Sequence, residues 1–208
     1  MVATPRFGPP WLRSSLQGLA FWVGYRRSIY SAHELSEGAL AAELCNLLHA
    51  HLPESLRLSC EEPYSKFLPA GVVRKEVGAK ARVDLSIWER CLPKNSDRYR
   101  QRPRYAIELK RASAAKSLID QDLRRLAYIV EESQGIRGIL CLASEGKRPK
   151  RFVTNRGVRS IAEISLPGTN CVYQVIDVRK ASHVYDDRNL GQYCCAIEVY
   201  QSTESPYD

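Results

Sequence analysis

Three charged residues on two predicted strands have the side-chain types and spacing suited to metal-assisted chemistry. Asp84 interrupts the apolar segment Arg82–Trp88, and Glu108 and Lys110 lie two residues apart in the segment Arg104–Lys110. Because alternate residues of a strand point to the same face, Glu108 and Lys110 share one face. If the two strands pair, Asp84 and Glu108 lie side by side, and two such carboxylates need a cation between them. A divalent ion such as Mg²⁺, which favours oxygen ligands, meets that need.

A fourth acid, Glu37, lies on the apolar stripe of a predicted helix. Leucines at helical spacing predict this helix from Ser36 to about Leu52, with Ser36 as its N-cap and Pro53 after its end. Glu37 precedes Leu40 by three residues and so falls on the stripe, where its carboxylate would complete the metal's ligand set. The alternative is an exposed first-turn acid that interacts favourably with the helix dipole.

The remaining periodic segments predict the elements that position these residues. Ala115–Glu132 is typical of an amphipathic helix. Strands are predicted at about 56–62, Arg82–Trp88, Arg104–Lys110, Gly138–Ala143, Val172–Val178 and Tyr193–Tyr200. The last two are expected to form a pair across the turn Asp186–Gly191. This order predicts an antiparallel meander of three strands, then one parallel crossover, and hence an α/β sandwich around a mixed sheet.

These features together resemble the PD-(D/E)XK nuclease superfamily, which has the restriction-endonuclease-like fold. The resemblance covers about residues 33–143, with an acid-bearing helix, Asp84 on one strand, and Glu108–Lys110 on the next strand 24 residues later. A helix carrying the polar run Asp122–Leu126 follows. Val83 stands where the proline of the motif would stand, and the second helix has no clear Q-x-x-x-Y, which disfavours the exonuclease branch.

The resemblance implies an α/β/α sandwich with a mixed central sheet, an αβββαβ core and C-terminal strand additions. It implies that Asp84, Glu108 and the backbone carbonyl of Leu109 bind Mg²⁺ or Mn²⁺, with Glu37 as an outer or second-metal ligand. Lys110 would orient the attacking water or stabilise the developing negative charge. The expected catalytic residues are therefore Asp84, Glu108, Lys110 and Glu37, and the expected reaction is phosphodiester hydrolysis.

The charge balance suits a polyanionic partner. The 208 residues include 31 lysines and arginines against 23 acids, for a formal charge of +8. Nucleic acid and an anionic membrane surface both fit that charge, and the resemblance favours nucleic acid. Phosphate contacts are expected from basic residues in two segments. For any single arginine, the alternative is a solvated loop residue that makes no phosphate contact. These residues are Arg98, Arg100, Arg102, Arg104, Lys147, Arg148, Lys150 and Arg151.

The N-terminal region differs in composition from the rest of the chain. Residues 1–32 contain four arginines and no acid, and their apolar stretch Leu16–Gly24 is about half the ~20 residues that a membrane span needs. An organelle leader is one explanation. The favoured explanation is a loosely ordered basic arm, or extra residues upstream of the true start, ahead of a single domain at residues 33–208, because no cleavage-site pattern follows the apolar stretch. Seven cysteines without a C-x-x-C pair favour a reducing cytoplasm.

Three functional hypotheses follow. The first is a metal-dependent nuclease, with DNA favoured over RNA as its substrate. The second is a catalytically inactive module of the same fold that binds nucleic acid or a partner protein. The third is a structural subunit whose basic surface docks on a larger complex. No membrane association is expected, and the oligomeric state, a homodimer included, is left open.

Two common catalytic motifs are absent from the sequence. It has no P-loop and no G-x-S-x-G motif, which disfavours nucleoside-triphosphate hydrolysis and serine-hydrolase chemistry.

Overall fold

The computed structural model describes residues 6–30, 34–69, 81–91, 100–181 and 191–202. Within these ranges the helices are α1 (Pro10–Tyr30), α2 (Glu37–His51) and α3 (Lys116–Glu132), with a 3₁₀ turn at Tyr64–Lys66. The strands are β1 (Leu56–Pro63), β2 (Arg82–Cys91), β3 (Arg100–Arg111), β4 (Arg137–Ser144), β5 (Ile164–Ser165), β6 (Cys171–Ala181) and β7 (Gln192–Gln201).

The described strands form one mixed sheet in the order β1-β2-β3-β4-β7-β6-β5. β1, β2 and β3 form an antiparallel meander, and β3 pairs in parallel with β4 after the crossover through α3. β6 and β7 pair with each other in antiparallel orientation, and β7 also pairs with β4. The predicted meander, crossover and C-terminal strand pair are therefore confirmed. Residues 182–190, which include most of the predicted Asp186–Gly191 turn, lie outside the described residues.

Helices cover both faces of this sheet, so the α/β class is confirmed. On one face, α1 and α2 bury leucines that are fully inaccessible to solvent: Leu12, Leu16, Leu19, Leu40, Leu44 and Leu48. On the other face, α3 buries Ile119, Leu123 and Leu126. The predicted N-cap of α2 is also confirmed, because the Ser36 side chain accepts a hydrogen bond from the Ala39 amide. Within the described ranges, no helix is both long enough and apolar enough to cross a membrane.

The N-terminal region contains a packed helix, so the loosely ordered arm expected for residues 1–32 is wrong over Pro10–Tyr30. Leu12, Leu16 and Leu19 recur at helical spacing and are 0% exposed, because α1 packs on α2 and on β6 and β7. Burial of this apolar stripe offsets the entropy lost when the segment orders. The expectation of a loosely ordered arm was based on the lack of acidic residues. The helical spacing of the leucines is the sequence feature that corresponds to the packed helix.

A buried ion-pair cluster fastens the start of this region to the sheet. The Glu198 side chain of β7 is fully buried, and its two oxygens contact Arg6 Nε at 3.1 Å and Arg137 Nε at 2.6 Å. A buried carboxylate is strongly destabilising unless cations and hydrogen bonds compensate it. The two guanidinium groups provide that compensation, and Arg6 thereby joins the segment before α1 to the centre of the sheet.

The packing of α1 is testable with two substitutions on the same helix. Leu16→Ala should lower the free energy of unfolding by about 2–5 kcal/mol, because it leaves a cavity against the sheet. Phe21→Ala should change it by less than about 0.5 kcal/mol, because Phe21 is 61% exposed. Urea denaturation followed by far-UV circular dichroism measures both. Equal small effects would show that α1 does not form part of the folded core.

Candidate active site

The register between β2 and β3 brings Asp84 and Glu108 together. Leu85 lies opposite Ile107, so the next position along each strand places Asp84 beside Glu108. Asp84 Oδ2 accepts a hydrogen bond of 2.8 Å from the backbone amide of Leu109, which fixes the aspartate against β3. The side-by-side carboxylates expected from the sequence are therefore present in the structure.

Glu108 is a buried carboxyl group next to a second negative charge. The residue is 3% exposed, and its Oε1 accepts a hydrogen bond from the hydroxyl of Tyr64. Burial, followed by the nearby charge of Asp84, raises the pKa of Glu108 well above its usual value, although the Tyr64 hydrogen bond acts in the opposite direction. Burial and the charge of Glu108 likewise raise the pKa of the Tyr64 hydroxyl. The negative charge at this site is thus only partly compensated.

Lys110 lies between two other carboxylates. Its Nζ is 3.2 Å from Glu37 Oε2 and 3.3 Å from Asp122 Oδ2. Burial tends to lower the pKa of Lys110, but the charges of Asp122 and Glu37 outweigh it and hold the pKa above its usual value. The ammonium group therefore stays charged at neutral pH and is held in place from both sides.

Glu37 contacts the candidate site at Lys110. Its second oxygen lies 3.4 Å from the backbone amide of Arg111, so the carboxylate spans the end of β3. The structure places Glu37 next to Lys110, and the contacts described for it are with Lys110 and Arg111. Its role as a metal ligand stays a prediction, and the geometry supports a role in orienting Lys110.

Asp122, like Tyr64, is a residue at the site to which the sequence analysis gave no role. Its side chain is 3% exposed and contacts both Lys110 Nζ and Arg125 Nη1, the latter at 3.2 Å. Burial raises the pKa of Asp122 against the opposing effect of Lys110 and then Arg125. The sequence feature that could have identified Asp122 is its position three residues after Ile119 and four before Leu126, on the buried stripe of α3. A charged residue on such a stripe needs a partner, which here is Lys110.

The carboxylate pair matches the ligand preference of a small divalent ion. Mg²⁺ is commonly held in proteins by one or two carboxylates, with waters and substrate phosphates completing its coordination. Asp84 and Glu108 provide such a pair, and the burial of Glu108 beside a like charge is the observation that a cation would explain. Among the described residues, no group of three or more His, Cys, Asp or Glu side chains is placed to hold a metal ion. Leu109 contributes its amide to Asp84, and its carbonyl as a ligand stays a prediction.

The first basic segment lies away from these carboxylates. Arg102 and Arg104 belong to the first half of β3, and Arg104 Nε is 3.7 Å from Glu89 Oε2. At about 3.3 Å per residue, Arg104 lies ~20 Å along the strand from Lys110. Because β3 begins at Arg100, these arginines belong to the strand and not to a loop before it, and their contact with phosphate stays a prediction. Arg98 and the side chain of Arg100 lie outside the described residues.

The second basic segment follows the end of β4. Because β4 runs parallel to β3, with Leu142 opposite Lys110, this segment begins at the same edge of the sheet as the site. Lys147 and Lys150 are exposed there. Arg148 is instead buried and donates a 2.7 Å hydrogen bond to the Val153 carbonyl, and Arg151 lies 2.6 Å from Asp120 on α3. The lysines are therefore better placed for phosphate contacts than the two arginines.

A groove that the sequence did not indicate runs along the outer side of α3. Its volume is about 390 Å³. Arg125 joins it to the site, because the same guanidinium group contacts Asp122 behind Lys110. The groove is lined by Ser117, Leu118, Gln121, Arg124, Arg125 and Tyr128. Two arginines and three neutral hydrogen-bonding side chains in an open groove suit a phosphate backbone.

Comparisons of the chain with protein-family models, with curated proteins and with solved structures found no match. The superfamily resemblance therefore stays a prediction from the sequence. The features that bear on function are the Asp84–Glu108 pair, Lys110 and the groove beside α3.

The raised pKa of Glu108 predicts an unusual dependence of stability on pH. The folded protein keeps a proton that the unfolded chain releases near the usual pKa of 4.5, so this group lowers stability as pH rises through that value towards the folded pKa. Glu108→Gln removes the ionisable group and with it the cost of holding the proton in the folded state. We expect a melting temperature above that of the wild type at neutral pH, with a difference that narrows as the pH falls to about 4.

Differential scanning fluorimetry across this pH range measures the effect. Glu54→Gln, at an exposed position, is the matched control and should not change the melting temperature. A Glu108→Gln protein that is less stable than the wild type at neutral pH would contradict the assignment of Glu108 as a destabilising buried charge.

Proposed function

We propose that this chain is a metal-dependent nuclease of the restriction-endonuclease-like α/β/α fold. It hydrolyses phosphodiester bonds in nucleic acid, with DNA favoured over RNA. The observation that carries the proposal is the pairing of the half-buried Asp84 with the buried Glu108, beside a charged Lys110 at the end of β3. The element order from α2 to β4, which is a helix, three strands, a helix and a strand, supports the fold assignment.

Asp84 and Glu108 would hold Mg²⁺ or Mn²⁺, with the Leu109 carbonyl as a further donor. When bound, the ion supplies charge compensation at the phosphate and lowers the pKa of a water molecule. The protein contributes a rigid pair of oxygen ligands, because Asp84 is fixed by the Leu109 amide and Glu108 by the Tyr64 hydroxyl. Relief of the repulsion between the two carboxylates favours cation binding.

Lys110 is the group that acts on the phosphodiester. Its ammonium stays charged and can stabilise the negative charge that develops on the phosphate oxygens or orient the attacking water. Glu37 and Asp122 are positioning residues, because they contact Lys110 and restrict the directions in which its Nζ can point. The groove beside α3 and the exposed Lys147 supply contacts for the nucleic-acid backbone.

A second candidate function is nucleic-acid binding without cleavage. It is favoured by the ion pairs of Lys110 with Glu37 and Asp122, which already compensate the charge of the lysine. It is also favoured by the lack of a three-residue metal cluster in the described part of the chain. In this case the carboxylates would serve the fold, while the groove and the exposed lysines would bind the backbone.

Cleavage assays separate the two candidates. Single-stranded DNA, duplex DNA and RNA are incubated with the protein and Mg²⁺ or Mn²⁺, and products are resolved by denaturing electrophoresis. Lys110→Ala should lower the cleavage rate by ~10²–10³-fold, because it removes a cation that stabilises the transition state. Arg57→Ala is the control for loss of a positive charge, since Arg57 is exposed on the edge strand β1, and it should cleave as the wild type does.

Cleavage that EDTA abolishes and that Lys110→Ala loses supports the nuclease. Equal residual cleavage by the wild type and Lys110→Ala would indicate a contaminating nuclease. Salt-sensitive binding without cleavage of any substrate would overturn the nuclease proposal in favour of the binding module.

The positioning role of Asp122 predicts a change in the pH profile of cleavage. Asp122→Asn removes a charge that raises the pKa of Lys110, so the lysine should lose its proton at a lower pH. We expect the alkaline limit of activity to move to lower pH, in addition to a fall in kcat. Asp120→Asn on the same helix is the control, because Asp120 pairs with Arg151. An unchanged alkaline limit in Asp122→Asn would show that Lys110 does not titrate in the reaction.

A further inference from the structure

Two cysteine side chains meet between α2 and β1. The sulfur atoms of Cys45 and Cys60 are 3.5 Å apart. Cys60 is exposed and Cys45 is partly exposed, whereas Cys141, Cys171, Cys194 and Cys195 are buried. Buried thiols pack as small apolar groups, but an exposed pair in contact is placed for chemistry with small molecules from solution.

Cys45 lies on α2, which carries a residue of the candidate site, and Cys60 lies on β1, which pairs with the strand that carries Asp84. α2 begins with Glu37, which contacts Lys110. Cys60 lies opposite Leu85 in the register of β1 and β2, and Leu85 follows Asp84. A covalent bond between the two sulfurs would therefore tie the helix that positions Lys110 to the strand that supports Asp84.

We propose that Cys45 and Cys60 form a thiol–disulfide exchange site, which low-molecular-weight disulfides such as oxidised glutathione convert to an intramolecular disulfide. A disulfide bond has an S–S distance of about 2.05 Å, so the two sulfurs must approach by about 1.5 Å. We infer that rotation of the two cysteine side chains supplies this movement. In a reducing compartment the pair remains a dithiol, and the disulfide forms only on exposure to an oxidant.

The exchange proceeds in two steps that balance. The thiolate of Cys60, formed by loss of a proton to water, attacks one sulfur of oxidised glutathione, and a mixed disulfide forms as one glutathione thiolate leaves. The thiolate of Cys45 then attacks the sulfur of Cys60 and expels the second glutathione. The two protein thiols lose two electrons and two protons, and the glutathione disulfide is reduced to two thiols.

The surroundings of Cys60 make this exchange slow at neutral pH. Burial, the hydrogen bond with Cys45 and the negative charges nearby raise the pKa of Cys60 to about 11. The thiolate is therefore scarce, and the pair differs from a fast redox catalyst, whose attacking cysteine has a low pKa. The test is best run at about pH 9, where the thiolate fraction is larger.

The experiment uses the full chain under native conditions. The protein is incubated with oxidised glutathione, remaining thiols are blocked with N-ethylmaleimide, and peptides are mapped by mass spectrometry without reduction. We expect a cross-linked pair of peptides that contain Cys45 and Cys60, which dithiothreitol reverses. Closing this loop of 15 residues should also raise the melting temperature by about 5–10 °C.

Single substitutions separate the two steps. Cys45→Ser leaves Cys60 as a stable mixed disulfide with glutathione, because the resolving thiol is gone. Cys60→Ser and Cys45→Ser should both abolish the cross-linked peptides and the rise in melting temperature. The proposal is overturned if wild-type Cys60 stops at the mixed disulfide, or if both thiols are alkylated after exposure to the oxidant. These readouts are covalent and do not depend on cleavage, so a failure here is distinct from a failure of the nuclease proposal.

Discussion

The pairing of β3 with β2 on one side and with β4 on the other determines where the candidate site lies. The antiparallel pairing sets Asp84 beside Glu108, and the parallel pairing requires the crossover helix α3. That helix then brings Asp122 to Lys110, two residues beyond Glu108 on the same strand face. A shift of one residue in either register would turn the charged side chains to the opposite face. The chemistry of the site is thus a consequence of strand register.

The charges at the site are arranged in two connected groups. In the first group, burial and the charge of Asp84 favour the protonated form of Glu108; in the second, Lys110 is balanced by Glu37 and Asp122. The carboxylates that contact Lys110 are therefore not the two that lie side by side on β2 and β3. The raised pKa of Glu108 lowers stability as pH rises above its usual pKa, and perturbed pKa values of this kind are common at functional sites.

Much of the fold could be predicted from local patterns, because alternation and helical spacing report which face of each element is buried. Asp84, Glu108 and Lys110 were found because they interrupt such patterns on adjacent strands. Asp122 interrupts the stripe of α3 in the same way, but its partner comes from a strand, and the sequence does not show that contact. The start of β3 lies at Arg100 and not at the predicted Arg104, because it depends on pairing with β2, which extends the strand beyond its apolar part.

The ion pair between Arg6 and Glu198 spans 192 positions of the chain. β7, which carries Glu198, also lies at the centre of the sheet between β4 and β6. During synthesis, α2 follows α1 directly, but the surface of β6 and β7 on which α1 also packs is translated much later. The packing of the apolar stripe of α1 therefore stays incomplete until β7 has joined the sheet. Folding of this protein is consequently completed after translation of β7, in a step that closes the sheet and docks the first helix together.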